Sequence, residues 1–150
     1  MNILLLCSGN TCRSPMAQAL LLQAISEQPG MNKNDFTVES AGLWAQTGFP
    51  ASPEAVKVMS EYGLDLSAHR SRAMSKDLAR QADLILTMTR SGLEEVQQRY
   101  PFARDKSFTL ADYAGFAQEE IIDPFGSDLP TYRQTAQQLR KMIHELVKKL

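Results

Sequence analysis

A chain of 150 residues with 43% hydrophobic and 22% charged residues is long enough to bury one sizeable core, so we expect a single domain over residues 1–150. The formal net charge of −1 favours neither nucleic acid nor an anionic membrane as a partner, and no apolar run suits a secretion signal or a membrane span. Cys7 and Cys12 are the only cysteines, which excludes a disulfide framework and supplies only half of a structural zinc site. We therefore expect a cytoplasmic protein without a metal.

The first half of the chain alternates between strand and helix patterns. The apolar run Asn2 to Cys7 is typical of a central parallel strand that is buried on both faces. Ser14 and Pro15 suit the start of a helix that ends near Pro29-Gly30. The apolar face of this helix is formed by Ala17, Leu20, Leu21, Ala24 and Ile25. Phe36 to Ser40 is predicted as a second strand.

The alternation continues through the rest of the chain. Ser52-Pro53 begins a helix that runs to Tyr62, and Ser75 caps a helix that runs through Ala82. The remaining predictions are a strand from Asp83 to Met88, a helix from Arg90 to Tyr100, a short edge strand from Lys106 to Thr109, an irregular stretch from Leu110 to Gly126 and a final helix. The stripe of that last helix is Tyr132, Ala136, Leu139, Ile143, Leu146 and Leu150.

This order predicts an α/β fold. We expect a three-layer sandwich in which a central, mostly parallel four-stranded sheet carries helices on both faces. Ligands of such folds bind beyond the carboxyl ends of the strands, and the first strand ends at Cys7. The loop that follows Cys7 is therefore the candidate site.

The loop from Ser8 to Arg13 has the chemistry of an anion-binding site. Its backbone N–H groups can converge on an anion at a helix N-terminus, and the Arg13 guanidinium matches two phosphate oxygens. The lysine of an ATP-binding loop is absent. The helix dipole, the loop amides, Arg13 and the Ser14 hydroxyl can all stabilise a Cys7 thiolate, which would be a nucleophile towards phosphorus.

The spacing Cys7-x5-Arg13-Ser14 resembles the signature of the low-molecular-weight protein tyrosine phosphatase family. Further segments match in order: "CSGNTCRSPMA" at residues 7–17, "ESAG" at 39–42, "HRSR" at 69–72, "ADLILTMT" at 82–89 and "DPFG" at 123–126. The resemblance implies that Cys7 attacks phosphorus to form a phosphocysteine, and that Asp123 is first the general acid and then the general base. It also implies a phosphoprotein substrate, no cofactor, and inhibition by phosphate or other oxyanions. We expect a monomer.

The resemblance also assigns the binding and supporting residues. The transferring phosphoryl group would be held by Ser8, Gly9, Asn10, Thr11, Cys12, Arg13 and Ser14. A hydrogen-bond network that supports the loop would consist of Asn10, Ser14, Ser40 and His69. Cys12 has two interpretations, because it can trap an oxidised Cys7 as a disulfide or simply fill space behind the loop.

Substrate choice depends on Thr11. Tyrosine-selective members usually carry Ile or Leu there, whereas "GNTCRSP" and "DPFG" are most similar to the bacterial protein-arginine phosphatase branch. Phe125 and Trp44 are candidate pocket walls, and Tyr132 falls on the helix stripe and is expected to pack in the core.

Four other functions stay open. They are a tyrosine phosphatase, a small phosphatase of loose selectivity, a phosphate-binding module without catalysis, and an arsenate reductase, although the last needs cysteines beyond Cys12 that the chain lacks.

Overall fold

A central sheet of four parallel strands organises the fold. The computed structural model describes all 150 residues. The strands are β1 (Asn2–Cys7), β2 (Thr37–Gly42), β3 (Leu84–Thr87) and β4 (Ser107–Thr109). They run in the order β2-β1-β3-β4, and every neighbouring pair is parallel. The predicted α/β fold with a central first strand is confirmed.

Six helices connect or follow these strands. They are α1 (Arg13–Glu27), α2 (Pro53–Glu61), α3 (Lys76–Gln81), α4 (Arg90–Arg99), α5 (Leu110–Ala114) and α6 (Leu129–Leu146). Short 3-10 segments cover Lys33–Asp35, Pro101–Lys106 and Val147–Lys149. The predicted caps hold, because the Ser52 and Ser75 hydroxyls accept the N–H groups of Ala55 and Leu78. None of the helices combines the length and the apolar character that crossing a bilayer requires.

The sheet separates two cores, as the alternation of side chains along β1 requires. Ile3 and Leu5 pack on one face in a cluster of 29 buried residues that includes the apolar stripes of α1 and α6. Leu4 and Leu6 pack on the other face in a cluster of 10 buried residues, with apolar residues of α3 and α4. The three predicted layers are therefore present.

Several element boundaries differ from the sequence prediction, and β3 and β4 are each shorter than the strands predicted from Asp83 to Met88 and from Lys106 to Thr109. The second strand begins one residue later than Phe36 and continues to Gly42, because Leu6 and Cys7 pair with its last two residues. The stretch from Leu110 to Gly126 is not wholly irregular. It begins with α5, which the Thr109 hydroxyl caps and which ends at Gly115 with φ 92°. The last helix stops at Leu146, and a 3-10 turn follows it.

Candidate active site

The loop between β1 and α1 turns back over the end of the sheet. We call residues Ser8–Arg13 the phosphate loop. Asn10 has φ 57°, a left-handed conformation that asparagine adopts more readily than most residues. This turn lets the Asn10 N–H donate to the Cys7 sulfur at 3.2 Å. The loop is tied to the segment after β2 by the Trp44 N–H, which donates to the Ser8 carbonyl at 3.0 Å.

Cys7 lies at the base of a cavity of about 230 Å³. Its thiol is 2.9 Å from the Ser14 hydroxyl, and the residue is only 6% exposed. The lining residues are Cys7, Ser8, Gly9, Thr11, Cys12, Arg13, Asp123 and Phe125. A larger open groove of about 1000 Å³ lies among α1, α2 and α6, but it is lined by neither cysteine and by no residue of the phosphate loop.

Arg13 and Asp123 form an ion pair at this cavity, with 3.4 Å between Nη2 and Oδ2. The arginine side chain is 6% exposed and the aspartate side chain 54%. The segment that carries Asp123 is held by the Ile121 N–H, which donates to the Met88 carbonyl after β3. The Thr135 hydroxyl of α6 also donates to the Ile122 carbonyl. The carboxylate therefore pairs with a guanidinium from a distant part of the chain and lines the same cavity as the Cys7 thiol.

The four residues expected to support the loop lie together. Asn10 Nδ2 donates to the hydroxyls of Ser14 at 2.8 Å and Ser40 at 3.0 Å. His69 Nε2 is 2.7 Å from the Asn10 carbonyl oxygen, which can only accept, so this nitrogen carries the proton. Ser40 and His69 therefore support Asn10 from other parts of the chain, and Ser14 supports it from the first turn of α1.

Two further contributors were missed by the sequence analysis. The Arg72 backbone N–H donates to Asn10 Oδ1 at 2.9 Å, and Gln18 accepts from the Ser40 hydroxyl at 2.7 Å. A signal for Gln18 existed, because it follows Ser14 by four residues on the same helix face. No comparable signal existed for a backbone group such as the Arg72 N–H.

Cys12 has polar neighbours behind the loop. Its sulfur lies 3.3 Å from the Tyr132 hydroxyl and 3.5 Å from the Ser52 hydroxyl. Burial, followed by the hydrogen bond with Cys12, raises the pKa of Tyr132 to about 12. Both cysteines are free thiols in the structure. The Cys12 sulfur thus has polar partners in its buried position, and its role as a redox partner of Cys7 stays a prediction.

The aromatic candidates have different positions. Phe125 lines the cavity and is 73% exposed, so it is available to a substrate. Trp44 is absent from that lining, and its ring lies 5.6 Å from the Arg99 guanidinium carbon. Tyr132 is buried in the core, as its place on the helix stripe suggested. No three His, Cys, Asp or Glu side chains cluster so that they would hold a metal ion.

A protein-family model and a known relative both match essentially the whole chain. The family model described as "Low molecular weight phosphotyrosine protein phosphatase" matches residues 2–150. A protein-arginine phosphatase of Bacillus subtilis is 38% identical to this chain over 150 residues, and the alignment covers 100% of this chain and 97% of the relative.

Two solved structures superpose closely. A variant of the YwlE arginine phosphatase, in which serine replaces cysteine and the active-site serine is phosphorylated, is 36% identical. It covers 100% of this chain and 95% of its own, with TM-score 0.92. A low-molecular-weight protein tyrosine phosphatase from T. tengcongensis is 40% identical, covers 100% of this chain and 99% of its own, and also has TM-score 0.92. Overall similarity thus does not separate the two substrate classes.

Proposed function

Because this chain belongs to the low-molecular-weight phosphotyrosine protein phosphatase family, we propose that it is a cysteine-dependent phosphatase that hydrolyses phosphoarginine in proteins. The choice of phosphoarginine as the substrate rests on the position of Thr11, which lines the same cavity as Cys7 and Asp123. A guanidinium group presents several N–H donors, and a hydroxyl and a carboxylate oxygen can accept them. A phenyl ring offers no such donors and would pack better on an aliphatic residue.

In the first step, the phosphoryl oxygens bind the N–H groups of the phosphate loop and the Arg13 guanidinium. The Cys7 thiolate attacks phosphorus, and an S–P bond forms as the P–N bond breaks. The electron pair of the broken bond goes to the guanidine nitrogen, which takes a proton from the Asp123 carboxyl group. This proton transfer is essential, since the guanidine nitrogen is far more basic than a phenolate oxygen and is a poor leaving group unless it is protonated.

In the second step, water replaces the departed arginine. The Asp123 carboxylate accepts a proton from the water as its oxygen attacks phosphorus. The S–P bond breaks, its electron pair returns to the Cys7 sulfur, and inorganic phosphate is released. The thiol contacts of Ser14 and the Asn10 N–H stabilise the sulfur in both steps.

The same residues support proposals about the location, the oligomeric state and the inhibition of the enzyme. A thiol nucleophile works in its reduced form, so we propose action in the reducing cytoplasm. Cys7, Arg13 and Asp123 together complete the set of catalytic groups within one copy of the chain, and we propose that it acts as a monomer. Inorganic phosphate and similar oxyanions should compete with substrate for the phosphate loop.

The test compares kcat/KM for a phosphoarginine peptide and a phosphotyrosine peptide of otherwise identical sequence. Cys7→Ser is the blank, and Thr11→Ile probes selectivity. Thr37→Ile is the matched control, because Thr37 is exposed at the start of β2, away from the cavity. We expect a preference for phosphoarginine that falls about 10- to 100-fold in Thr11→Ile and is unchanged in Thr37→Ile.

Other outcomes would reassign the function. A preference for phosphotyrosine that Thr11→Ile leaves unchanged would make the protein a tyrosine phosphatase. Equal rates for both peptides would indicate a phosphatase of loose selectivity. Turnover no greater than that of Cys7→Ser, together with phosphate binding, would leave only a binding module.

A further inference from the structure

A continuous line of hydrogen bonds joins the Cys7 thiol to the backbone of β2. From the Ser14 hydroxyl, 2.9 Å from the sulfur, it passes to Asn10 Nδ2 at 2.8 Å and on to the Ser40 hydroxyl at 3.0 Å. It reaches Gln18 Oε1 at 2.7 Å and ends where Gln18 Nε2 donates to the Val38 carbonyl at 2.9 Å. Asn10, Ser14 and Ser40 are buried, so water does not compete easily for these bonds.

The Val38 carbonyl and the Arg72 N–H determine which group donates in each of these hydrogen bonds. The Val38 carbonyl can only accept, so the Gln18 amide must point its NH₂ group there and its oxygen towards Ser40. The Ser40 hydroxyl then gives its single hydrogen to that oxygen and accepts from Asn10. The Arg72 N–H can only donate, which turns the Asn10 oxygen towards it and the Asn10 NH₂ group towards both serines.

The direction of these hydrogen bonds determines whether the Ser14 hydroxyl donates to the Cys7 sulfur or accepts from it. Its oxygen accepts from Asn10, and its hydrogen has two acceptors within reach, the Cys7 sulfur at 2.9 Å and the Ala41 carbonyl at 3.5 Å. The sulfur is the nearer acceptor, so Ser14 donates to it. A donor at this position stabilises the thiolate both as nucleophile and as leaving group.

We infer that Gln18 is a positioning residue which, through Ser40 and Asn10, keeps the Ser14 hydroxyl as a donor to the Cys7 thiolate. The inference rests on the proposed function, since it concerns the same nucleophile. Gln18 does not line the cavity, and its side chain is hydrogen-bonded to Ser40 and to the Val38 carbonyl rather than to Cys7, so it acts through the side chains between them. Without its amide, the Ser40 hydroxyl is free to rotate and no longer offers the Asn10 NH₂ group a fixed acceptor. Asn10 is then oriented by the Arg72 N–H alone, and the proton of the Ser14 hydroxyl is less firmly ordered.

The experiment measures the alkylation rate of Cys7 by iodoacetamide as a function of pH. Fragment-ion mass spectrometry assigns the label to Cys7 rather than Cys12, and Cys7→Ser is the blank. This rate needs no substrate, so it tests the inference even if the protein turns over neither phosphopeptide. If the wild-type protein hydrolysed neither phosphopeptide, that result would contradict the proposed function but not this inference.

The key variants are Gln18→Leu, Ser40→Ala and the double variant. Gln23→Leu is the matched control, because it makes the same change on the same helix at another half-buried position outside the line of bonds. We expect the pH at half-maximal alkylation to rise by about one unit in Gln18→Leu and to stay at the wild-type value in Gln23→Leu. The acid limb of kcat/KM should move by the same amount.

The double variant separates positioning from a general loss of packing. Because Gln18 acts through Ser40, Gln18→Leu should cause no further rise when Ser40→Ala is already present. Circular dichroism confirms folding, and Gln18→Met, which also lacks the amide, replaces Gln18→Leu if that variant is unfolded. A folded variant with the wild-type alkylation profile, or a further rise in the double variant, would overturn the inference.

Discussion

Replacing Gly42 with alanine should displace the phosphate loop. A Cβ atom at Gly42 would lie 2.6 Å from the Ser8 carbonyl oxygen, 2.6 Å from the Ala45 Cβ and 3.0 Å from the Asn10 nitrogen. Two carbon atoms in contact need about 3.5 Å, so the shortfall at Ala45 is about 1 Å. Gly42 cannot retreat easily, because its N–H donates to the Arg72 carbonyl and its carbonyl accepts from the Met74 N–H.

The expected cost has two parts. Overpacking of this kind destabilises a fold by about 1–3 kcal/mol. A displacement of about 1 Å between a nucleophile and the groups that bind its substrate can cost about 100-fold in rate. We therefore expect Gly42→Ala to lower kcat/KM by about 10- to 100-fold while most of the protein stays folded.

The assay pairs urea unfolding with kcat/KM on the better phosphopeptide. Gly92→Ala is the control, since a Cβ there meets only side-chain atoms, the nearest at 3.2 Å. That control should keep its activity within about twofold, because the helix preference of alanine offsets a small strain. Wild-type stability and activity in Gly42→Ala would refute the reasoning, as the loop would then not depend on this contact.

Two further predictions concern the charge and the buried phenol of the site. Asp123→Asn should lower kcat by about 100-fold or more, because the proton donor is lost. The same variant should bind inorganic phosphate more tightly, because Arg13 loses its competing carboxylate; weaker phosphate inhibition would contradict this. The pKa of Tyr132, raised by burial to about 12 from 10.0, means that the folded state keeps a proton which the unfolded chain loses above pH 10. The stabilising effect of this raised pKa is complete below pH 10 and disappears towards pH 12. Between pH 9 and 11 the unfolding free energy of the wild type should therefore fall by about 1 kcal/mol more than that of Tyr132→Phe. Equal decreases in urea titrations would refute this prediction.

The order of elements was readable from the sequence because each depends on nearby residues. The run Asn2 to Cys7 is apolar throughout, and a chain segment of that kind is stable only when both of its faces are covered. Ser52 and Ser75 cap helices through groups three residues away. The α5 helix was missed because it is one turn long, and its start depends on a cap at Thr109 that also ends a strand.

The combination of Cys7, Arg13 and Ser14 was likewise visible, since eight consecutive residues contain it. The position of Trp44 was not, because a surface loop follows the packing of its neighbours, here Arg99 from α4. Asp123 was assigned by resemblance, but only the docking of its segment against β3 and α6 brings it 3.4 Å from Arg13.

The sequence by itself determined the parallel α/β layers and the candidate nucleophile Cys7 with its loop, and the resemblance of its motifs indicated the family. The layers follow from periodicity and the loop from the spacing of neighbouring residues, which the backbone geometry converts directly into structure. Only the tertiary structure decided how the loop is supported: Gln18 with Ser40, the Arg72 N–H with Asn10, and Tyr132 with Cys12. Such hydrogen bonds join groups far apart in the chain, and their partners are chosen by how helices and strands dock, which no local pattern encodes.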